Sequence, residues 1–164
     1  MKFVNYIKWT KQHNFMLPPG YILRKAKPTD MWAIVFSIIR ARLDPSQLKW
    51  HQFLVIEHNG HLVAFGQLRN FQAAQELGSL FVMPACRNSG LGTFIIQHLI
   101  AQATQPLYLK CLDERLEKFY AQRGFVPVRF EKLPTSLKSK FYFSNFRKNF
   151  FKAFVVFMKY QDCT

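Results

Sequence analysis

Between Gln75 and Ile100 an apolar extended run stops at a proline, a glycine turn follows, and apolar residues then recur at helical spacing. No other stretch of the chain restricts its fold so tightly. Gln75 to Val82 reads as a strand, and Met83-Pro84 ends it because proline cannot donate to a strand ladder. Past the turn Ala85 to Gly92, the residues Phe94, Ile95, Ile96, Leu99 and Ile100 mark a helix. Where strand passes to helix, through Arg87, Asn88, Ser89, Gly90, Leu91, Gly92 and Thr93, the first N–H groups of the helix have no intrahelical acceptor and converge on one point. Gly90 and Gly92 permit close approach of backbone to a ligand, Asn88 tolerates a left-handed conformation, and the helix dipole favours negative charge there. A diphosphate suits such a turn. The lysine of a P-loop is missing, and Ile95 stands where GxGxxG needs its third glycine, so neither nucleotide motif is met. A purely structural turn accounts for the glycines equally well.

The elements on either side alternate between strand and helix. Tyr21 to Ala26 reads as a strand, Lys27-Pro28-Thr29-Asp30 as a turn and cap, and the apolar run from Met31 as a helix to about Leu43. Asn59-Gly60 between Phe53–Glu57 and His61–Leu68 predicts a hairpin, since both turn residues tolerate positive φ. Pro106 to Cys111 is a short strand, Asp113 to Arg123 a helix closed by Gly124, and Phe125 to Val128 extended. A helix from Leu133-Pro134-Thr135-Ser136 to about Phe150 and a buried strand over Ala153 to Met158 complete a mixed α/β chain. Pro18-Pro19-Gly20 separates residues 1–20, which read as an N-terminal extension, from a single domain over 21–164.

With 164 residues and 49% hydrophobic side chains, the composition predicts one packed domain and excludes a disordered or collagen-like chain. The apolar run Met31 to Ile39 is too short to span a bilayer, and Met1 to Lys8 lacks the pattern of a secretory signal. Cys86, Cys111 and Cys163 are odd in number and lack CxxC spacing, which argues against a disulfide framework and a zinc site and for a reduced, cytoplasmic setting. The net charge is +14, and half of it lies from Ala121 onward, where nine basic residues face two acids. Such a bias favours polyanionic partners or ligands, from phosphates to nucleic acid or anionic lipid, without choosing among them. From Lys138 to Tyr160 basic and aromatic residues interleave. Nucleic-acid or lipid binding is conceivable there, but Val155 to Met158 is too apolar for a nucleic-acid surface, and a helix with a solvated basic face followed by a core strand is preferred.

Two blocks of this sequence resemble motifs of the GCN5-related N-acetyltransferase (GNAT) family. Arg87 to Gly92 is similar to the family's R/Q-x-x-G-x-G/A motif, preceded by Leu80 to Pro84 as the end of the pantetheine-binding strand. Phe119-Tyr120-Ala121-Gln122-Arg123-Gly124-Phe125 resembles its aromatic-Tyr-x-x-x-Gly-Phe signature. The likeness runs from about Tyr21 to Tyr160. It implies a largely antiparallel central sheet with helices on both faces. It also implies that two strands splay apart after Val82 and that acetyl-CoA enters the gap, its pantetheine held by backbone groups of Leu80, Phe81 and Val82 and its pyrophosphate by the amides from Arg87 to Thr93. The activity implied is acetyl transfer from acetyl-CoA to a primary amine whose identity is not legible.

Acetyl transfer requires a proton to leave the amine and one to reach the departing thiolate. Tyr120 matches the signature tyrosine and is the candidate acid; packing of its ring against the cofactor is the alternative. Glu76 lies six residues before Val82, so strand alternation puts both on one face, and its position matches the catalytic glutamate of the family's histone-acetylating branch. It is the candidate base, against a solvated glutamate or a water chain; Glu57, beside the hairpin turn, is weaker. Asp113 stands where several relatives carry a cofactor-contacting asparagine. A carboxylate there loses the amide donor, and capping of its helix is favoured. The rival to an enzyme is a noncatalytic CoA-binding or polyanion-binding module on the same fold.

Overall fold

Asn59 and Gly60 adopt φ of 50° and 78° and fold Phe53–His58 (β2) onto His61–Phe71 (β3) as an antiparallel hairpin. The computed structural model describes residues 16–161, so residues 1–15 of the expected extension and Cys163 lie outside the described residues. Tyr21–Lys25 (β1) pairs antiparallel with β2, and Ala74–Val82 (β4) pairs antiparallel with β3. Leu107–Cys111 (β5) lies parallel to β4, Val156–Tyr160 (β7) antiparallel to β5, and Phe125–Val128 (β6) antiparallel to β7. The sheet therefore runs β1-β2-β3-β4-β5-β7-β6, mostly antiparallel, as expected. β3 extends three residues beyond its expected end. Gln72-Ala73 makes the turn into β4, with Ala73 at φ 59°, in a place where no glycine or asparagine announces it.

Helices Leu91–Gln102 (α2) and Glu114–Ala121 (α3) cover one face. Leu91, Phe94, Ile95, Ile96 and Leu99 of α2 pack there on Leu54, Ile56, Ala64 and Leu77, and Tyr120 of α3 joins the same core. Each such side chain contributes about 1.5–3 kcal/mol of burial. Gly66 lets α2 approach β3: a Cβ on it would lie 2.5 Å from Ile95 Cγ2 and 2.8 Å from Leu99 Cδ1.

Helices Met31–Arg40 (α1) and Thr135–Phe151 (α4) cover the other face. Ile34 and Ile38 of α1 pack with Phe53, Val55 and Phe65; Leu137 and Phe141 of α4 pack with Tyr108 and Phe157. α1 stops short of the expected Leu43 because Arg42 turns to φ 53° and Leu43 N donates to Ile38 O at 2.9 Å, a left-handed C-terminal cap. Beyond Phe141 α4 buries no further residue. Phe143, Phe150 and Phe151 stand exposed among Arg147, Lys148 and Lys152, so the solvated face expected to be basic is aromatic as well.

Candidate active site

The gap between β4 and β5 opens earlier than expected. The two strands pair only at Gln75–Leu107 and Glu76–Tyr108, so they part from Leu77 onward and not after Val82. Met83 N donates to Val63 O at 2.8 Å, which makes Ala64–Val82 a non-hydrogen-bonded pair of the antiparallel ladder. The N–H of Val82 therefore points into the gap, and alternation directs the backbone of Leu80 the same way. Phe81, expected with them, turns its backbone to β3 opposite Phe65. The carbonyl of Val82 accepts from Arg87 Nε at 3.3 Å.

A bulge corrects a second expectation. Gln67 pairs with Gly78 but Phe65 with Phe81, so Ser79 and Leu80 both stand opposite Gly66, and Ser79 adopts φ 44°. The extra residue reverses the alternation. Leu80 and Val82 pack into the core under α2, whereas Glu76, Gly78 and Ser79 face α1 and α4 with Arg69. Glu76 and Val82 are thus on opposite faces of the sheet.

The turn after β4 has the form that an anion cradle needs. Asn88 and Gly90 adopt φ of 61° and 83°. Gly90 is the N-cap of α2 and offers no side chain to its amides, while Phe94 N, the first inside the helix, donates to Gly90 O at 3.0 Å. Ser89 Oγ donates to Cys86 O and braces the turn. A Cβ on Gly92 would meet Val82 Cγ2 at 3.6 Å and Phe119 Cζ at 3.7 Å, ordinary contacts, so the protein's own packing does not require glycine there.

The two sequence blocks meet at this turn. Arg123 Nη2 donates to Thr93 Oγ1 at 2.6 Å, its guanidinium stacks 3.6 Å from the Phe119 ring centre, and its Nε is buried without a hydrogen-bond partner. An orphaned cationic donor beside a helix start with uncapped amides fits an anionic ligand. Arg123 escaped the sequence reading because nothing local sets it apart from other basic residues. Tyr120 is buried between Phe119 and Phe125, with ring centres 5.4 and 5.9 Å away, and burial pushes its phenol up, so that it stays protonated. Asp113 caps α3, accepting from Arg115 N at 2.8 Å, and Arg115 Nη2 lies 3.3 Å from its other oxygen.

On the opposite face of the sheet lies a cluster that sequence reasoning largely missed. Arg69, fully buried, donates to Gln67 Oε1 (2.9 Å), Glu76 Oε2 (3.2 Å), Ser79 Oγ (3.0 Å) and the Asp44 carbonyl (2.9 Å). Glu76 is itself buried. Burial pushes its carboxyl up, against the charges of Arg69 and Lys140. Asp44 lies in the loop after α1 and Lys140 on α4, and Lys140 Nζ reaches Asp44 Oδ2 at 2.6 Å. Burial would raise the Asp44 carboxyl, but hydrogen bonds from Lys140 and Ser46 and the charge of Arg69 prevail and hold it well below the ordinary carboxylate range. Sequence offered one signal: Arg69 and Lys110 interrupt apolar strands at positions whose neighbours point inward. Glu57, the weaker base candidate, is bound at 2.8 Å by Arg24 at the other end of the sheet.

A mixed sheet split on one side of its fourth strand, with an uncapped glycine turn beyond the split, defines the acyl-CoA N-acyltransferase class of fold. The family model described as an acetyltransferase (GNAT) domain matches residues 49–127. Over 126 residues the chain is 27% identical to an amino-acid acetyltransferase of Salmonella arizonae, which covers 74% of this chain and 28% of that protein. The chain thus spans under a third of the curated relatives it matches. N-acetylglutamate synthase from Neisseria gonorrhoeae, solved with coenzyme A and N-acetyl-glutamate, superposes with a TM-score of 0.66 at 18% identity, over 86% of this chain and 35% of that one. Rv2747 from Mycobacterium tuberculosis, solved with CoA, gives 0.66 at 19% identity over 85% and 98%. These structural likenesses bear on the fold. Among the described residues no helix is long and apolar enough to cross a membrane.

Proposed function

We propose that this chain transfers an acetyl group from acetyl-CoA to an amine, in a cytoplasmic setting. The observation that carries the proposal is the β4–β5 gap, with Val82 N–H directed into it and the uncapped start of α2 at its end. The carrier supplies an activated thioester; the chain supplies position and protons. Leu80 and Val82 would hold the pantetheine amides through backbone, and Val82 N–H would polarise the acetyl carbonyl. The amides from Arg87 to Thr93, with Arg123 beside them, would hold the pyrophosphate.

Tyr120, protonated and shielded from water, would give its proton to the departing sulfur. Glu76 would take the amine's proton, directly or through water, from the α1 and α4 side. Its raised carboxyl is the better base for that, and Arg69 fixes its orientation. Asp113 is assigned to the helix cap and not to cofactor contact. Release of free thiol from acetyl-CoA in the presence of a panel of amines tests the function. Acceptor-dependent release is the expected result; binding of CoA without acceptor-dependent release would make the chain a binding module.

A further inference from the structure

Three cations from three elements converge on one oxygen. Arg69 Nη1 of β3, Lys110 Nζ of β5 and Lys140 Nζ of α4 lie 3.5, 3.8 and 2.6 Å from Asp44 Oδ2. The only other carboxylate among them, Glu76, lies 3.2 Å from Arg69. The cluster therefore holds three positive groups against two negative ones where no side chain is more than 24% exposed. An excess of charge in such a place is unfavourable until a counter-ion arrives. Burial lowers the Lys110 ammonium, the sign of a cation that its present neighbours do not fully compensate.

The cluster also stands at the right place. Tyr108 is the last residue of β5 paired with β4, and Lys110 follows it by two, on the same face, 5.4 Å above the Phe141 ring centre of α4. Lys110 and Ser79 thus flank the opening of the gap on the side away from α2. With the carrier's phosphates at the start of α2, an acceptor reaches the thioester from this opposite side.

Resting on the acetyl-transfer reading, we infer that the acceptor is an amine that also bears a carboxylate, and that Lys110, Lys140 and Arg69 receive this carboxylate beside the Asp44 side chain. The two functions of Asp44 are separable. Its backbone carbonyl accepts from Arg69 Nη2 at 2.9 Å and from Ser79 Oγ at 3.2 Å and fixes the loop, whereas its partly exposed carboxylate takes up part of the cluster's positive charge and so competes with the incoming one. One incoming carboxylate brings the cluster to charge balance and makes charge-assisted hydrogen bonds with the two lysines. A bare alkylamine adds a fourth cation instead.

The test compares acceptors that differ only by the α-carboxylate: L-leucine with 3-methylbutylamine, L-arginine with agmatine, and L-lysine with cadaverine, with L-glutamate as a dicarboxylate. The expected kcat/KM is at least about 100-fold higher for the best acid than for its decarboxylated partner. Lys110→Met should raise KM for that acid at least about tenfold while calorimetry shows the same affinity for CoA, Lys110→Arg should restore it in part, and Asp44→Asn should lower it. Equal kcat/KM within every pair, or turnover confined to amines without a carboxylate, overturns the inference. So does an unchanged KM in Lys110→Met. Absence of CoA binding in the wild-type chain would instead remove the acetyl-transfer reading on which the inference rests.

Discussion

Tyr120 and Asp44 are the two residues whose surroundings most clearly separate chemistry from scaffolding. The phenol of Tyr120 is buried and held protonated, so Tyr120→Phe removes a proton and little volume. Its expected effect is a fall in kcat of about 100-fold with CoA affinity unchanged, read by steady-state rates and calorimetry; equal rates would take Tyr120 out of the proton transfer. Asp44 is a question of stability. Its folded carboxyl lies below the unfolded value, so its contribution is fully present above the ordinary carboxylate range and is lost as pH falls through the folded value. Asp44→Asn is expected to lower stability by about 2 kcal/mol at pH 7, since three cations then lose their shared anion. Thermal unfolding against pH should show the gap to wild type closing below about pH 4. A gap that widens in acid would contradict this account of the cluster.

At the scale of elements, the bulge in β4 decides which residues share a face. Deletion of Ser79 would remove the extra residue and set Leu80 alone opposite Gly66, which leaves Leu80 and Val82 under α2 and the Val82 amide in the gap but takes the Ser79 hydroxyl from Arg69. Retained CoA binding is the expected result, with circular dichroism reporting the fold; loss of affinity in a folded variant would show that the strand end depends on the bulge itself. Gly66→Ala probes the seam between α2 and β3. Its Cβ would press on Ile95 and Leu99, and a loss of about 1–3 kcal/mol in a denaturant titration is expected. The bulge was not legible from sequence, because Ser79 is neither glycine nor asparagine and alternation gives no hint of an extra residue. What was legible was local: Asn59-Gly60 at its turn, Gly90 at the start of α2, and Gly124, at φ 87°, closing the end of α3. Asp44, Arg69, Lys110 and Lys140 are up to 96 residues apart and meet only once the sheet, its loop and α4 are assembled, which no spacing rule anticipates.

Across the whole molecule, the two faces of the sheet divide the labour. One carries the core under α2 and α3 with the phosphate turn at its rim; the other carries the charged cluster between α1 and α4. The order of strands and helices was readable in the sequence because turn residues or prolines stand where most elements end, the β3–β4 turn at Gln72-Ala73 excepted. The point at which β4 and β5 part was not, because it depends on pairings between distant segments. A net charge of +14 and a helix start as an anion site both predict salt-sensitive binding of the carrier, with affinity for CoA falling several-fold between 0.05 and 0.5 M NaCl. The central claim is that the backbone between Arg87 and Thr93 grips the carrier. Titration of CoA into the wild-type chain and into folded Gly92→Glu, followed by calorimetry, tests it most directly. One-to-one binding heat in the wild type and none in the variant is the predicted result; no heat in the wild type, or equal affinity in both, would contradict it.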